Sequence, residues 1–260
     1  MNKTLAVLAS SLALAAVAPA TTVAHWNFND LTDSSGNGHT LTNANASTTL
    51  SGGQAVFTGA GSSVAGTDLT SATDNPAWDD LSFTVESIFT FTTPTAANIS
   101  TIAAHLSNGG GRQWLFGTNA ANAPVLLVRE LGMTSEATFI SSFGALTSGR
   151  TYYFGAAVDF TAANPADRVT LYFRDITGDS SFLAQNFTTN ITALESSSSP
   201  LTIGSTGHST SRLTGSIHQI RFSDTKLGPN DLLIAPVPEP SAALLSVFAV
   251  SLFGLRRKRA

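Results

Sequence analysis

The sequence predicts an all-β protein in which two antiparallel sheets pack face to face as a jelly-roll sandwich. Runs rich in β-branched and aromatic residues recur between clusters of turn-forming residues, and long stretches with a helical period are absent. Apolar and polar residues alternate along 83–91 and 169–173, so one face of each strand can be buried while the other faces water. Residues 21–235 are long enough for one such domain.

Twelve segments between the turn signals are predicted to be strands, and one segment near the end of the domain, 229–233, is predicted to be a short helix. The predicted strands are 23–29, 54–58, 82–92, 100–106, 113–117, 125–130, 137–143, 151–159, 168–175, 183–187, 201–204 and 213–223.

The first 20 residues are predicted to be a secretory signal peptide. Lys3 precedes an apolar run at 5–17, and the small residues at 18–20 suit signal peptidase. We expect cleavage after that triplet, with Ala24 as the alternative end point, because 23–28 already has the pattern of a strand. A buried N-terminal helix is the disfavoured alternative, since no polar face interrupts the apolar run. The chain is therefore expected to be exported.

Residues 236–260 are predicted to be a sorting tail with a hydrophobic helix. Two prolines and a glutamate precede an apolar segment at 242–255, and a basic cluster follows it. The apolar segment is shorter than the roughly 20 residues that span a bilayer comfortably, so the order of the three parts decides the interpretation. These parts are Pro238, Glu239 and Pro240, then 242–255, then Arg256, Arg257, Lys258 and Arg259.

This order resembles the PEP-CTERM sorting signal, a C-terminal address read at the membrane. The resemblance implies processing by an exosortase, a membrane-embedded enzyme thought to cut near the Pro-Glu-Pro tripeptide. A plain membrane anchor is the alternative, and it would still place the domain outside the cytoplasm.

Composition excludes several classes of function. The chain has no cysteine, so disulfides, thiol catalysis and cysteine-bound zinc are excluded. Five of the 13 basic residues lie in the two predicted signals, which leaves 8 basic against 17 acidic residues, a net charge of −9, in 21–240. A lightly charged, acidic domain lacks the basic patch that phosphate backbones require, so nucleic acid is not expected as a partner.

The opening of the predicted domain carries a recognisable pattern. A strand with Trp26 and Phe28 runs into an Asp-Ser-Ser-Gly-Asn-Gly turn at 33–38, where Gly36 and Gly38 allow positive φ. This pattern resembles laminin-G-like domains of exported bacterial proteins, which belong to the concanavalin-A-like lectin/glucanase superfamily. The resemblance implies the sandwich fold and leaves the activity open. Further similar segments follow in the family's order at 83–86, 152–159, 169–173, 201–204, 215–222 and 227–232.

The same resemblance implies a structural calcium ion near the first loop and the last strand, where oxygen ligands converge in family members. The candidate ligands are Asp30 and Asn37, with Asp33 nearby. The chain departs from the family at His218, where an aspartate is common, and imidazole is a poor ligand for calcium. The alternative is that Asp33 caps its own turn and Asp30 is a solvated loop residue.

The carboxylate pair of a glycoside hydrolase is missing from the sequence pattern. Glucanases of this fold carry Glu-x-Asp-x-x-Glu on one strand, and no such spacing occurs here. Glu86 is the only carboxylate in its strand, while Glu130 and Glu136 lie near turns, so all three are expected at solvated positions. The chain is therefore expected not to be an enzyme.

Trp78 is the candidate carbohydrate-binding residue. Sugar-binding surfaces need exposed aromatic rings and polar groups that fix orientation. Trp78 lies between Asn-Pro and Asp-Asp, and this loop context predicts an exposed ring. Trp114 is expected in the core because Leu and Phe follow it, whereas Arg112 and Gln113 are candidates for hydrogen bonds to a sugar.

Two functional hypotheses follow. The first is a non-catalytic cell-surface or extracellular-matrix protein whose sandwich binds a glycan, an exopolysaccharide or another envelope polymer. The second is a purely structural or adhesive matrix protein without a small ligand, and a glycoside hydrolase is a disfavoured third. Signal peptidase and exosortase are the expected processing partners, and 242–255 would hold the chain in the membrane before processing.

Overall fold

The computed structural model describes residues 21–43, 48–59, 69–94, 99–106, 112–206 and 211–234. Regular structure in these residues consists of fifteen strands and three 3₁₀ helices, Pro76–Asp79, Pro165–Asp167 and Pro229–Asp231. The strands are β1 (Thr22–Trp26), β2 (Leu41–Thr42), β3 (Thr48–Leu50), β4 (Ala55–Thr58), β5 (Leu69–Ser71), β6 (Ser82–Phe91), β7 (Ser100–Leu106), β8 (Arg112–Thr118), β9 (Pro124–Val128), β10 (Ala137–Ile140), β11 (Thr151–Asp159), β12 (Val169–Asp175), β13 (Leu183–Phe187), β14 (Thr202–Ile203) and β15 (Thr214–Ser223).

The strands form two sheets in which neighbours pair antiparallel. Sheet A has the order β13-β12-β11-β6-β15-β4-β3, and sheet B has the order β10-β9-β8-β7-β14-β5-β2. Strand β15 is long enough to pair along one edge with both β4 and β1, while β6 pairs with its other edge. The two sheets pack as a sandwich. The predicted all-β jelly-roll fold is confirmed.

Each of the twelve predicted strands overlaps an observed strand, and three have the predicted bounds, β7, β11 and β13. The predictions missed β2, β3 and β5, which are two or three residues long and too short to show a period of two. The predicted short helix at 229–233 is the 3₁₀ helix Pro229–Asp231.

Aromatic side chains fill the space between the sheets. Phe116 of sheet B stacks on Phe154 of sheet A, with ring centroids 4.4 Å apart. Phe222 contacts the rings of Trp78 and Trp114, at 4.8 Å and 5.8 Å. Trp114 is fully buried, as the sequence predicted. This packing joins the two sheets into one core.

The first strand and loop have the predicted conformation with one difference. Trp26 and Phe28 are both buried, and Gly36 and Gly38 have φ of 88° and 84°. Strand β1 ends at Trp26, however, and Phe28 takes the left-handed conformation with φ of 54°. The predicted strand is therefore shorter, because the chain turns at Phe28 while its ring stays in the core.

The outer face of sheet A, which points away from sheet B, is partly covered by residues 224–234, here called the C-terminal strap. Leu227 and Leu232 of the strap are buried against Tyr153 and Tyr172 of the sheet. The strap contains the 3₁₀ helix Pro229–Asp231 and no strand. It therefore lies over part of the sandwich as a third, irregular layer.

The predicted signal peptide, residues 1–20, and the predicted sorting tail, residues 236–260, lie outside the described residues. Within the part of the chain that the structure describes, no helix is long and apolar enough to cross a membrane.

Candidate functional site

The first loop is organised by the carboxylate of Asp33. Its Oδ1 accepts hydrogen bonds from the backbone N–H groups of His25 and Ser35, both at 2.9 Å. Its Oδ2 accepts from the Ser35 hydroxyl at 2.8 Å and from the His39 N–H at 3.1 Å. Burial alone would raise the pKa of Asp33, but these hydrogen bonds outweigh it and hold the pKa below 3.8. Asp33 therefore caps its own turn.

The other predicted calcium ligands are also used within the protein. The exposed Asp30 accepts from the N–H and the hydroxyl of Thr32, and the Asn37 amide donates to the carbonyl of Val23 at 3.0 Å. Nε2 of His218 is hydrogen-bonded to the Thr90 hydroxyl and not to a residue of the first loop. No group of three or more His, Cys, Asp or Glu side chains in the described ranges is placed to hold a metal ion. These residues do not fit a calcium site.

Trp78 is buried, so the expectation that its ring is exposed is wrong. The side chain of Asn75 accepts a hydrogen bond from the Ala77 N–H and caps the 3₁₀ helix that carries Trp78. This turn inserts the indole into the core, where it meets the edge of Phe222 and has no exposed surface. A solvent-facing platform for a sugar is thereby excluded at this residue.

The two expected polar partners of Trp78 are also occupied. Gln113 is buried, and its Oε1 lies 2.5 Å from Nδ1 of His105. Arg112 contacts the carboxylate of Glu136 at 3.5 Å. The structure therefore does not bring the predicted sugar-binding residues together on a surface.

Glu86 is fully buried, in contrast to the solvated position expected for it. Its Oε1 lies 2.7 Å from Nε of Arg221, and its Oε2 accepts from the Tyr153 hydroxyl at 2.9 Å and from the Leu233 N–H at 2.7 Å. Burial raises the pKa of Glu86 above 4.5, although Arg221 and the hydrogen bonds oppose this effect. Through the Leu233 N–H, Glu86 ties the C-terminal strap to sheet A.

The part of sheet A that the strap leaves open carries a groove of about 350 Å³. Strands β4, β6 and β15 supply most of its lining, and Gln54 and Thr92 lie directly beside β4 and β6. None of the lining residues is charged, and most carry a hydroxyl or an amide. They include Gln54, Val56, Thr90, Thr92, Thr214 and Ser216.

Strand register places a line of short side chains across the open part of this face. Ser216 of β15 lies at the centre, opposite Val56 of β4 on one side and Thr90 of β6 on the other. Beyond them, Thr49 of β3 lies opposite Val56, and Thr151 of β11 lies opposite Thr90. Opposed residues on neighbouring strands share a face, and the strands are about 4.8 Å apart. These five residues, here called the hydroxyl row, therefore form a regular line of four hydroxyl groups and one valine.

Hydrogen bonds fix the polar groups of the groove. The Thr90 hydroxyl lies 2.9 Å from the Thr151 hydroxyl and 2.8 Å from Nε2 of His218, and the Ser216 hydroxyl donates to the Gln54 amide oxygen at 2.5 Å. Burial lowers the pKa of His218 below 6.5, so its ring is neutral at neutral pH. The groove therefore presents oriented, uncharged hydrogen-bonding groups.

Two glycines within strands are sequence signals for close contacts in sheet A. Gly155 interrupts a strand, and a Cβ there would lie 2.6 Å from the Tyr153 hydroxyl, which crosses it to reach Glu86. At Gly215, with φ of 133°, a Cβ would lie 2.1 Å from the Thr90 carbonyl. A glycine inside a strand marks such close approaches.

No family model and no curated protein matches the sequence. Solved structures do share the fold. One is Domain 4 of AbnA, a GH43 extracellular arabinanase from Geobacillus stearothermophilus, in complex with arabinotriose. It has a TM-score of 0.56 and 15% identity, and the match covers 81% of this chain and 96% of that domain.

A second similar structure is the binding domain of botulinum neurotoxin DC. In complex with rat synaptotagmin II it has a TM-score of 0.52 and 15% identity, covering 80% of this chain and 49% of the other. In complex with SialylT it has a TM-score of 0.51 and 14% identity. At these identities the likeness shows the fold alone. The chain shares the antiparallel two-sheet β-sandwich fold of these domains.

The first loop leads to a prediction about metal removal. Because the Asp33 oxygens already accept four hydrogen bonds, we expect the melting temperature in EDTA to equal that in added calcium. Asp33→Ala should lower the unfolding free energy by about 2 kcal/mol, since several part-buried donors lose their acceptor, whereas Asp30→Ala, at an exposed carboxylate, should leave the melting temperature nearly unchanged. A melting temperature that falls in EDTA would contradict this assignment.

Burial of Glu86 predicts a pH dependence of stability. Folding raises the pKa of Glu86 above 4.5. Between pH 4.5 and the pKa of Glu86 in the folded chain, the folded chain therefore binds more protons than the unfolded chain. The contribution of Glu86 to the unfolding free energy should therefore fall as pH rises through that window. Urea unfolding from about pH 4 to about pH 8 should show Glu86→Gln gaining stability relative to wild type as pH rises.

The difference in unfolding free energy between wild type and Glu86→Gln isolates the contribution of Glu86, because the other titrating groups are the same in both proteins. A difference that stays constant with pH, or that changes with the opposite sign, would show that burial of this carboxylate does not raise its pKa.

Proposed function

We propose that the protein is a non-catalytic, exported binder of a neutral glycan or envelope polysaccharide, and that the open groove of sheet A is its binding surface. The observation that carries this proposal is the hydroxyl row. Regularly spaced hydroxyl groups beside an amide and a neutral imidazole match the hydroxyl groups of a sugar polymer, which both donate and accept hydrogen bonds.

The charge of the site supports a neutral ligand. None of the residues lining the groove is cationic, and residues 21–240 carry a net charge of −9. An anionic polymer would meet repulsion from the domain and find no guanidinium or ammonium group in the groove. A neutral polysaccharide meets neither obstacle.

The similar solved structures are consistent with this proposal. The arabinanase domain was solved with arabinotriose, and the neurotoxin binding domain with SialylT. The shared fold supports a sugar-binding role, while the groove of this chain supplies the argument for the place of binding.

The non-catalytic part of the proposal rests on the acidic side chains. Glu86 is held by Arg221 and Tyr153 beneath the strap. Acidic neighbours also occur near the 3₁₀ helix of Trp78, where burial and the charges of Asp224 and Asp79 raise the pKa of Asp80. None of these carboxylates lines the groove. Binding without hydrolysis is therefore the function that the groove supports.

Export and sorting belong to the same proposal and rest on the sequence. The apolar start of the chain supports signal-peptide cleavage, and the Pro238-Glu239-Pro240 tripeptide with its apolar and basic neighbours supports processing by an exosortase. The sandwich would then act at the cell surface or in the extracellular matrix, where polysaccharides are present. A calcium ion is not part of the proposal.

Affinity electrophoresis in gels containing arabinan, xylan, mixed-linkage β-glucan or an acidic polysaccharide tests the function. We expect at least one neutral polymer to retard the protein, and the acidic polymer to leave its mobility unchanged. Thr90→Val keeps the shape but removes a central hydroxyl, and it should weaken binding about three- to tenfold, the usual effect of one hydrogen bond.

The matched control is Thr138→Val, an exposed threonine on β10 of sheet B, which should bind like wild type. Retention by no polysaccharide would favour the structural or adhesive alternative. Equal weakening by both variants would place binding elsewhere on the sandwich. Release of reducing sugar from any of these polymers would revive the glycosidase alternative.

A further inference from the structure

We infer that the C-terminal strap, residues 224–234, is a displaceable cover that competes with a neutral polysaccharide for the outer face of sheet A. This inference rests on the proposed function and extends the binding surface beyond the open groove. It assigns a role to Glu86, Tyr153 and Tyr172, which the groove itself does not use.

The covered surface continues directly from the groove. Along β6 the outward residues after Thr90 are Ile88 and Glu86, each about 6.6 Å further along the strand. Ile88 lies opposite Tyr153, and Glu86 lies opposite Arg221. The next row beyond the hydroxyl row is therefore the first one beneath the strap, and a polymer lying along β6 would meet the strap after one residue pair.

The strap has one described backbone hydrogen bond to the strands' neighbours, from the Asp224 N–H to the Thr21 carbonyl at 3.1 Å. Beyond Asp224 it is held through side chains. The Leu233 N–H donates to Oε2 of Glu86 at 2.7 Å, and the Leu227 N–H donates to the Thr84 hydroxyl at 2.8 Å. Arg221 donates to the carbonyl of Asp231 at 2.5 Å. Segments with few backbone hydrogen bonds to a sheet open locally at a lower free energy than global unfolding. The strap can therefore leave while the strands remain paired.

Strap release would expose groups that suit a sugar. The Tyr153 hydroxyl donates to Glu86, and the Tyr172 hydroxyl reaches the carbonyl of Leu227 at 3.4 Å. The rings of Tyr153 and Tyr172 both contact Phe182, with centroids 6.0 Å and 5.6 Å away. Aromatic surface with phenol and carboxylate groups binds both the apolar faces and the hydroxyl groups of sugars. Strap and polymer would thus use the same partners.

Two adjacent alanines allow a matched test. Ala157 packs under the strap, whereas Ala156 faces the core between the sheets, and both are fully buried. Because the chain has no cysteine, Ala157→Cys and Ala156→Cys each give the full-length protein a single thiol. The rate at which each thiol reacts with Ellman's reagent under native conditions then reports how often it becomes exposed. In Ala157→Cys this requires the strap to open, and in Ala156→Cys it requires the sandwich core to open.

We expect the thiol at 157 to react at least about tenfold faster than the thiol at 156, since local opening is more frequent than global unfolding. Leu232→Ala, which removes a buried strap anchor, should accelerate the thiol at 157 and leave that at 156 unchanged. Saturating arabinan or mixed-linkage β-glucan, whichever the gels show to bind, should accelerate amide hydrogen exchange of the strap at Leu227 and Leu233, because the polymer would hold the surface that the strap has left. By linkage, Leu232→Ala should bind that polymer about fivefold more tightly or better.

The outcomes separate the two proposals. Equal reaction rates at 156 and 157 would show that the strap does not open locally and would overturn the inference. Polymer binding that leaves the exchange of the Leu227 and Leu233 amides unchanged or slows it would overturn the competition and keep the groove. If the thiol at 157 reacts faster than that at 156, but neither wild type nor Leu232→Ala binds any polymer, the strap opens and the proposed function is overturned.

Hydrogen exchange on the unmodified protein provides a measurement that does not depend on the cysteine variants. The amides of Leu227 and Leu233 should exchange faster than those within β11, and bound polymer should increase their exchange. Exchange of the strap at the same rate as β11 would contradict local opening.

Discussion

The packing of aromatic rings between the two sheets is the constraint on which the rest of this structure depends. Phe222 meets Trp78 and Trp114 there, and Phe116 stacks on Phe154. Burial of large aromatic side chains supplies much of the stability of a domain without disulfides. It also places all three tryptophans in the core, so no exposed indole is left as a sugar platform. In the proposed function, recognition at the surface therefore depends on hydroxyl and amide groups.

The outer face of sheet A has an open part and a covered part. One part is open and carries the uncharged hydroxyl row, while the other is covered by the C-terminal strap and contains the buried contact between Glu86 and Arg221. A buried ion pair adds little net stability, because desolvation offsets the attraction. Its effect is to hold the strap in one position through the Leu233 N–H. The strap therefore sets how much of the face is available to a ligand.

The fold could be predicted from the sequence because alternation along segments such as 83–91 specifies which face of a strand is buried. Alternation does not show what covers the other face, so Glu86, an outward residue of β6, was expected in water and lies under the strap. The exposure of Trp78 was inferred from its loop context, but a capped 3₁₀ turn folds the ring inward. The hydroxyl row joins residues from five strands and depends on register, which local patterns do not specify.

The central claim is that the open part of sheet A is the ligand-binding surface. It is tested most directly by a nuclear magnetic resonance titration of isotope-labelled protein with oligosaccharides of arabinan and of β-glucan. The account predicts that the largest shifts occur at the amides of β4, β6 and β15 around Ser216 and Thr90, followed by those of the strap. Largest shifts on sheet B, or around the 3₁₀ helix of Trp78, would contradict it.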